Sequence, residues 1–131
     1  GRVVSYDYWT LKKLARELRQ QLEGECVLHV SVSSECLDIG FARDRTHCLR
    51  FTVAGRLFLC ESDTGEQASG RVHPWKYLLK ATIVSLAFDH PDRVLSARLQ
   101  RVDRSGCATH GRLIFELLPQ RRRVIFFSAP P

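Results

Sequence analysis

Hydrophobic residues near the start of the chain recur at intervals of three and four positions. This spacing places them on one face of a helix that begins near Thr10 and ends before Gly24. The residues on that face are Leu11, Leu14, Ala15, Leu18 and Leu22. We expect this face to pack on the protein core.

After Cys26 the pattern changes to an alternation of apolar and polar residues, which is typical of strands. Gly55 predicts a tight turn, because glycine accepts a positive φ without a Cβ clash. Four short antiparallel strands are predicted at residues 27–32, 36–41, 48–53 and 56–60.

The second half of the chain repeats this organisation. A polar, glycine-containing segment over 63–70 predicts a loop, and Pro74 predicts the start of a short helix that runs through Lys80. Four further strands are predicted at residues 82–88, 93–102, 111–118 and 123–127. The predicted fold is therefore α+β and β-rich: a two-sheet antiparallel β-sandwich with an N-terminal helix and a second short helix.

A chain of 131 residues, with 44% hydrophobic and 26% charged residues, is typical of one globular domain. It begins Gly1-Arg2 and contains no methionine, which favours a single domain, residues 1–131, taken from a longer multidomain protein. No apolar stretch approaches the roughly 20 residues that span a bilayer, and residues 1–8 lack a secretory pattern. We expect a cytoplasmic location and no membrane partner.

The five cysteines are scattered and odd in number, which argues against a disulfide framework. Most lie in apolar surroundings, which favours buried, inert thiols in a reducing cytoplasm. Among the histidines, only His47 stands next to a cysteine, Cys48, and adjacent strand residues point to opposite faces. With none of the common phosphate-loop, nucleophile or metalloenzyme motifs present, we expect no metal, no cofactor and no catalysis.

The net charge of +6 and the isoelectric point near 9.4 are compatible with an anionic partner, or with a basic surface that only maintains solubility. The first helix has its own basic face, which is either an electrostatic footprint for nucleic acid or a solvated surface. That face consists of Lys12, Lys13, Arg16 and Arg19.

Asp92-Arg93 is the sharpest local candidate for a site. A carboxylate beside a guanidinium at the start of a strand can orient the arginine's planar donors towards a phosphate. The alternative is that Asp92 satisfies turn amides after Pro91, while Arg93 makes an ordinary ion pair.

Further arginines predict a basic patch. Arg121, Arg122 and Arg123 are expected in a hairpin turn, beside a strand that carries Arg98 and Arg101. The same arginines could equally form a solvated turn that protects the apolar strand after them from aggregation. Ahead of the first helix, an aromatic group either stacks on bases or closes the core as a hydrophobic plug. That group is Tyr6, Tyr8 and Trp9.

Several segments together resemble the N-terminal domain of the NFACT proteins, whose bacterial members are often labelled fibronectin-binding proteins. The opening helix with Gly24 is similar to the family's first helix, and Asp92-Arg93-Val94 matches its Asp-Arg motif. Residues 113–117 and 124–127 resemble its strand pair, and Asp7 is a weaker match to its early aspartate. The resemblance covers about 7–128 and implies a fold related to the N-terminal domain of MutM-type DNA glycosylases.

The resemblance implies a noncatalytic RNA-binding domain that engages tRNA and the large ribosomal subunit in ribosome quality control. In that hypothesis Asp92 and Arg93 position a phosphate. The first alternative is a protein-interaction or scaffold domain whose basic charge is incidental. A remote alternative is a DNA glycosylase or lyase, although the chain lacks the N-terminal Pro-Glu pair of those enzymes.

Overall fold

The computed structural model describes residues 7–43, 45–61, 77–89 and 92–129. Within those residues the chain forms one α-helix followed by eight β-strands. The strands form two four-stranded antiparallel sheets, in which each strand pairs with its neighbours along the chain. The β-rich α+β class and the two-sheet architecture predicted from the sequence are confirmed.

Helix α1 (Tyr8–Leu22) begins two residues before the position that the hydrophobic spacing predicts. The reason is its N-cap, since an Asp7 carboxylate oxygen accepts a hydrogen bond from the Thr10 backbone N–H at 2.7 Å. Gly24, with a φ of +88°, follows the helix and turns the chain towards the first strand. The buried face consists of Leu11, Ala15, Leu18 and Leu22, and Leu14, the fifth residue of the predicted face, is half-buried against the same core.

The first sheet contains β1 (Val27–Val32), β2 (Cys36–Phe41), β3 (His47–Thr52) and β4 (Leu57–Glu61). The turn between β3 and β4 contains Gly55 at a φ of +89°, in the left-handed region that favours glycine. This sheet follows the predicted strands to within one residue at each end.

The second sheet contains β5 (Thr82–Asp89), β6 (Val94–Val102), β7 (Ala108–Leu118) and β8 (Arg121–Ala129). Strands β7 and β8 are longer than predicted, because their ladder continues from His110↔Ala129 to Leu118↔Arg121. A two-residue turn is enough to connect them.

The inner faces of the two sheets enclose the core together with α1. Phe51 of β3 and Phe115 of β7 meet across the interior, with ring centroids 5.6 Å apart. Leu18 of α1 and Leu95 of β6 are fully buried in the same cluster. Burial of each such leucine contributes about 1.5–3 kcal/mol relative to an exposed position.

The two sheets are joined along one side by backbone contacts between the start of β1 and the start of β5. Cys26 and Thr82 form an isolated antiparallel bridge. The Val27 N–H donates to the Ala81 carbonyl at 2.8 Å, and the Gly24 N–H donates to the Ile83 carbonyl at 2.8 Å. We call this connection the β1–β5 seam. Helix α1 packs along β5 next to it, where a Glu23 carboxylate oxygen accepts from the Leu86 N–H at 3.2 Å.

Two sequence predictions need correction. Arg121, Arg122 and Arg123 do not form a hairpin turn, because the turn is complete at residues 119–120 and Arg121 already pairs with Leu118. Arg93 does not begin β6, because its φ of +50° is incompatible with an extended strand, which starts at Val94. Of the helix predicted over 74–80, residues 77–80 are described, and they form a 3₁₀ turn followed by an ordinary turn, with no α-helical residue. The predicted loop over 63–70 and the approach through Pro91 also lie outside them.

Candidate binding surface

Arg93 lies in the turn that precedes β6, held by a neighbouring strand. Its carbonyl oxygen accepts a hydrogen bond from the Leu117 N–H at 3.1 Å. The left-handed backbone costs a non-glycine residue about 1 kcal/mol, which the fixed connection to β7 offsets. Asp92 beside it is exposed to solvent. The motif therefore presents its side chains from a fixed backbone at one end of the second sheet.

Asp7 lies in the same electrostatic neighbourhood. The backbone N–H of Thr10 is the main cause that lowers the pKa of Asp7, and the positive charge of Arg93 adds a smaller effect in the same direction. Asp7 and Arg93, from distant parts of the chain, therefore interact electrostatically. The carboxylate already serves as the helix cap, so its first role is structural.

The aromatic residues at the start of α1 have different environments. Tyr8 is half-buried, and its ring centroid lies 6.2 Å from that of Phe88, as a hydrophobic plug would. Trp9 is 73% exposed. The Lys12 ammonium lies 5.7 Å from the centroids of both the Tyr8 and Trp9 rings, which is a cation–π distance. Tyr6 lies outside the described residues.

The other basic residues of α1 point to solvent, as the sequence predicts. Lys13 and Arg16 are exposed, and Arg19 donates from its Nε to the Ala15 carbonyl at 3.4 Å. Together with Lys12 they form a basic helix surface. It lies on a different element from the strand arginines.

Strand alternation separates the three arginines at the start of β8. Arg123 forms two hydrogen bonds with the Glu116 carboxylate, at 2.9 and 3.2 Å, and Arg121 lies 3.8 Å from the same group. The Arg122 side chain lies instead against Gly55, in the turn of the other sheet. The single basic patch predicted for residues 121–123 is therefore split between two directions, and two of its charges share one carboxylate.

Arg98 and Arg101 point to opposite faces of the sheet, because they lie three residues apart on β6. Arg101 lines a depression of about 370 Å³ beside Tyr77 and Thr109. Arg98 lies on the outer face and is directly opposite Arg112 of β7. Strand β7 lies between β6 and β8, so the strand of Arg98 and Arg101 is not the direct neighbour of residues 121–123 that the sequence predicts.

The Arg98–Arg112 pair lies in an apolar setting. Arg112 is directly opposite Phe127 of β8, which is 52% exposed, and Val84 of β5 is 49% exposed. With Ile114 these residues line a depression of about 450 Å³. Among the described residues, neither arginine has a carboxylate partner. We call this surface the arginine–apolar face, formed by Val84, Arg98, Arg112, Ile114 and Phe127.

The outer face of the first sheet has a different character. Arg50 of β3 donates to both carboxylate oxygens of Asp38 on β2, at 2.7 and 2.9 Å. This pair raises the pKa of Arg50 further above its usual range. The Arg56 guanidinium lies 4.5 Å from the centroid of the Phe58 ring. On this face Arg50 is therefore paired with a carboxylate of the domain, and Arg56 with an aromatic ring.

The sequence analysis did not identify Arg112, Val84 or Phe127 as site residues. Alternation along β6 and β7 shows which residues share a face, but the register of the two strands is also needed to show which residues are opposite each other. The register depends on the length of the turn between them, which the sequence did not fix.

Two other features, a metal site and a membrane-spanning helix, are not seen in the described part of the chain. No group of three or more histidine, cysteine, aspartate or glutamate side chains is arranged to hold a metal ion there. Nor does any helix in those residues combine the length and the apolar character needed to cross a membrane.

No protein-family model and no curated protein matches the chain. Solved structures do match its fold. One is the N-terminal part of the fibronectin/fibrinogen-binding protein of Streptococcus suis, with a TM-score of 0.79 and 24% identity over 93% of this chain and 49% of that chain. Another is the N-terminal domain of the fibronectin-binding protein PavA of Streptococcus pneumoniae, with a TM-score of 0.74 and 20% identity over 90% of this chain and 48% of that chain.

A third is the fibrinogen-binding protein of Staphylococcus aureus, with a TM-score of 0.66 and 18% identity over 88% of this chain and 43% of that chain. The chain thus spans less than half the length of each of these three structures. At these identities the likeness shows the fold, which is that of N-terminal domains of fibronectin- and fibrinogen-binding proteins. The fold agrees with the resemblance, drawn from the sequence, to bacterial proteins that are labelled fibronectin-binding.

Proposed function

We propose that this domain is a noncatalytic protein-interaction module that binds its partner through the arginine–apolar face. The observation that carries the proposal is the placement of Arg98 and Arg112 directly opposite each other, with no acidic partner among the described residues. Like charges opposite each other on a sheet destabilise it, so a carboxylate from a binding partner would relieve a cost that the free domain bears.

The apolar residues beside the arginines favour a polypeptide as that partner. Val84 and Phe127 are about half exposed, and exposed apolar residues rimmed by charge are typical of protein interfaces. A segment that alternates acidic and apolar side chains would match both the guanidinium pair and the depression between the strands. The names of the three structural neighbours, which refer to fibronectin or fibrinogen binding, give independent support.

The test uses immobilised fibronectin and fibrinogen, with tRNA as a third ligand. The informative variant is Arg98→Glu with Arg112→Glu, which reverses the charge of the pair but preserves its like-charge repulsion. The matched control is Lys13→Glu with Arg16→Glu, which reverses the same number of positive charges on the exposed helix surface. We expect the β-sheet variant to lose at least tenfold in affinity for the protein ligand and the helix variant to keep it. Equal losses in both variants would show that only overall charge matters and would overturn the proposal.

A second candidate function, RNA binding of the NFACT kind, is supported by a separate observation. Arg93 lies near Asp7, and the exposed Trp9 ring with Lys12 beside it is available for base stacking. In this alternative the motif Asp92-Arg93 positions a phosphate of tRNA or of the large ribosomal subunit. This RNA-binding alternative would operate in the cytoplasm.

The same binding assay separates the two functions. RNA binding predicts steep salt dependence and a loss of tRNA affinity in Arg93→Ala and in the helix variant, with little effect of the Arg98/Arg112 reversal. If wild type binds tRNA weakly at low salt and Arg93→Ala binds equally well, the RNA alternative fails.

A further inference from the structure

Two cysteines lie directly opposite each other on the first sheet. Cys48 of β3 pairs with Cys60 of β4 in the antiparallel ladder, and their Sγ atoms are 3.4 Å apart. Both thiols are free. The sequence predicts scattered, inert thiols, and the structure instead places two of them in contact.

The two thiols differ in their access to solvent. Cys48 is 3% exposed, and its ladder partner on the other side is Gly40, against which the His29 ring packs. Cys60 is only half-buried and lies on β4, the edge strand of the sheet. A reagent from solution therefore meets Cys60 first.

The backbone geometry suits a bond between them. Directly opposite residues of an antiparallel ladder have Cα atoms about 4.5–5.5 Å apart, which lies inside the range of about 4.4–6.8 Å found for disulfides. The sulfur atoms need only approach from van der Waals contact to bonding distance. Rotation of the two thiols accomplishes this without any change in strand register.

We propose that Cys48 and Cys60 form a thiol–disulfide exchange site for low-molecular-weight disulfides such as oxidised glutathione. The Cys60 thiolate attacks one sulfur of the reagent, forms a mixed disulfide and releases one glutathione thiolate, which takes up a proton. Cys48 then loses its proton and attacks the Cys60 sulfur, which expels the second glutathione. Two protein thiols are oxidised to one disulfide, and one reagent disulfide is reduced to two thiols.

The order of attack follows from the environment of each thiol. Burial, followed by the contact with Cys60, raises the pKa of Cys48 to about 12, so Cys48 is protonated at neutral pH and the first attack falls to Cys60. Such a site fits a reducing compartment, where disulfides are transient and respond to redox conditions.

Cys107 provides an internal comparison. It is exposed in the turn after β6, and among the described residues no other thiol contacts it. Its reaction therefore shows how an exposed thiol without a neighbouring thiol behaves towards oxidised glutathione. A site that reacts only because a thiol is exposed should behave as Cys107 does and keep its glutathione.

The experiment treats the Cys107→Ser protein with oxidised glutathione and follows it by intact-mass and peptide mass spectrometry. We expect a product lighter by two hydrogen atoms, free of glutathione, with the peptides of Cys48 and Cys60 joined and with a higher Tm than the reduced protein. In wild type, Cys107 should instead retain glutathione. No reaction at Cys60, or a stable glutathione adduct at Cys60 with Cys48 still free, overturns the proposal.

The variant Cys60→Ser supplies the reciprocal result. Cys48 should then stay reduced under the same conditions, because it is buried and lacks the partner that carries the first step. Modification of Cys48 in this variant would contradict the assigned order. If the variant does not fold, the peptide linkage found in the Cys107→Ser protein decides the question by itself.

Discussion

The outer faces of the two sheets differ in how their arginine side chains are paired across the strands. On the first sheet, Arg50 faces Asp38 across the ladder and makes two hydrogen bonds with it. On the second sheet, Arg98 faces Arg112, with no carboxylate partner among the described residues. Both sheets bury an apolar inner face, so the two sheets differ mainly in the side chains of their outer faces. A face that satisfies its own charges has little need of a partner, whereas one that opposes like charges gains from an anionic one.

The largest expected effect comes from the core that both faces share. Phe115→Ala removes the ring that contacts Phe51 and should lower the free energy of unfolding by about 3–5 kcal/mol, measured by urea denaturation. The control is Phe127→Ala on the next strand, at a site 52% exposed, which should stay within about 0.5 kcal/mol of wild type. A large loss in Phe127→Ala would show that the arginine–apolar face is structural.

The first sheet should respond to the loss of a charge partner. Asp38→Ala leaves Arg50 without its two hydrogen bonds, with 29% of its side chain exposed. Because solvent partly screens the pair, we expect a loss at the low end of the usual range, about 1 kcal/mol. Chemical denaturation measures it, and a variant as stable as wild type would contradict the description of this face as paired.

The second sheet should respond with the opposite sign. Arg98→Glu places a carboxylate opposite Arg112 and turns a repulsive cross-strand pair into an attractive one, which should stabilise the domain by about 0.2–1 kcal/mol. The same substitution should weaken binding of an acidic protein ligand. Denaturation and binding measured on one preparation decide the matter. Lower stability together with unchanged binding would remove the basis for the proposed surface.

The smallest effect concerns the helix cap, which belongs to neither face. Hydrogen bonding to the Thr10 N–H lowers the pKa of Asp7, so the stability it contributes is present above the ordinary aspartate pKa and is lost as the pH falls through the lowered value. Asp7→Ala should lower Tm modestly at neutral pH and should flatten the decline of Tm below about pH 4. Parallel Tm profiles in the two proteins would show that the cap adds no pH-dependent stability.

Much of the architecture follows from local patterns in the sequence. The three- and four-residue spacing of leucines identifies α1, and alternation or a short apolar run identifies each strand, because each strand buries one face against the same core. The helix start was misplaced because Asp7 precedes the apolar spacing and acts through its carboxylate alone. A cap of this kind is visible in sequence only when the residue before the first periodic position is examined for it.

The candidate site was harder to predict, because it depends on register. A two-residue turn at residues 105–106 would pair Arg98 with Leu113, whereas the five residues between β6 and β7 pair it with Arg112. A shift of one residue moves every side chain of a strand to the other face. The contact between Cys48 and Cys60 and the splitting of residues 121–123 depend on register in the same way, so composition and spacing along the chain did not reveal them.

The β1–β5 seam has a consequence for how the chain folds. Within each sheet every strand pairs with its neighbour in sequence, so each sheet is a series of hairpins that close over short loops. The Cys26–Thr82 bridge instead joins residues far apart along the chain. Loop-closure entropy makes such a contact slow to form, so we expect the hairpins of each sheet to form first and closure of the seam to limit the folding rate.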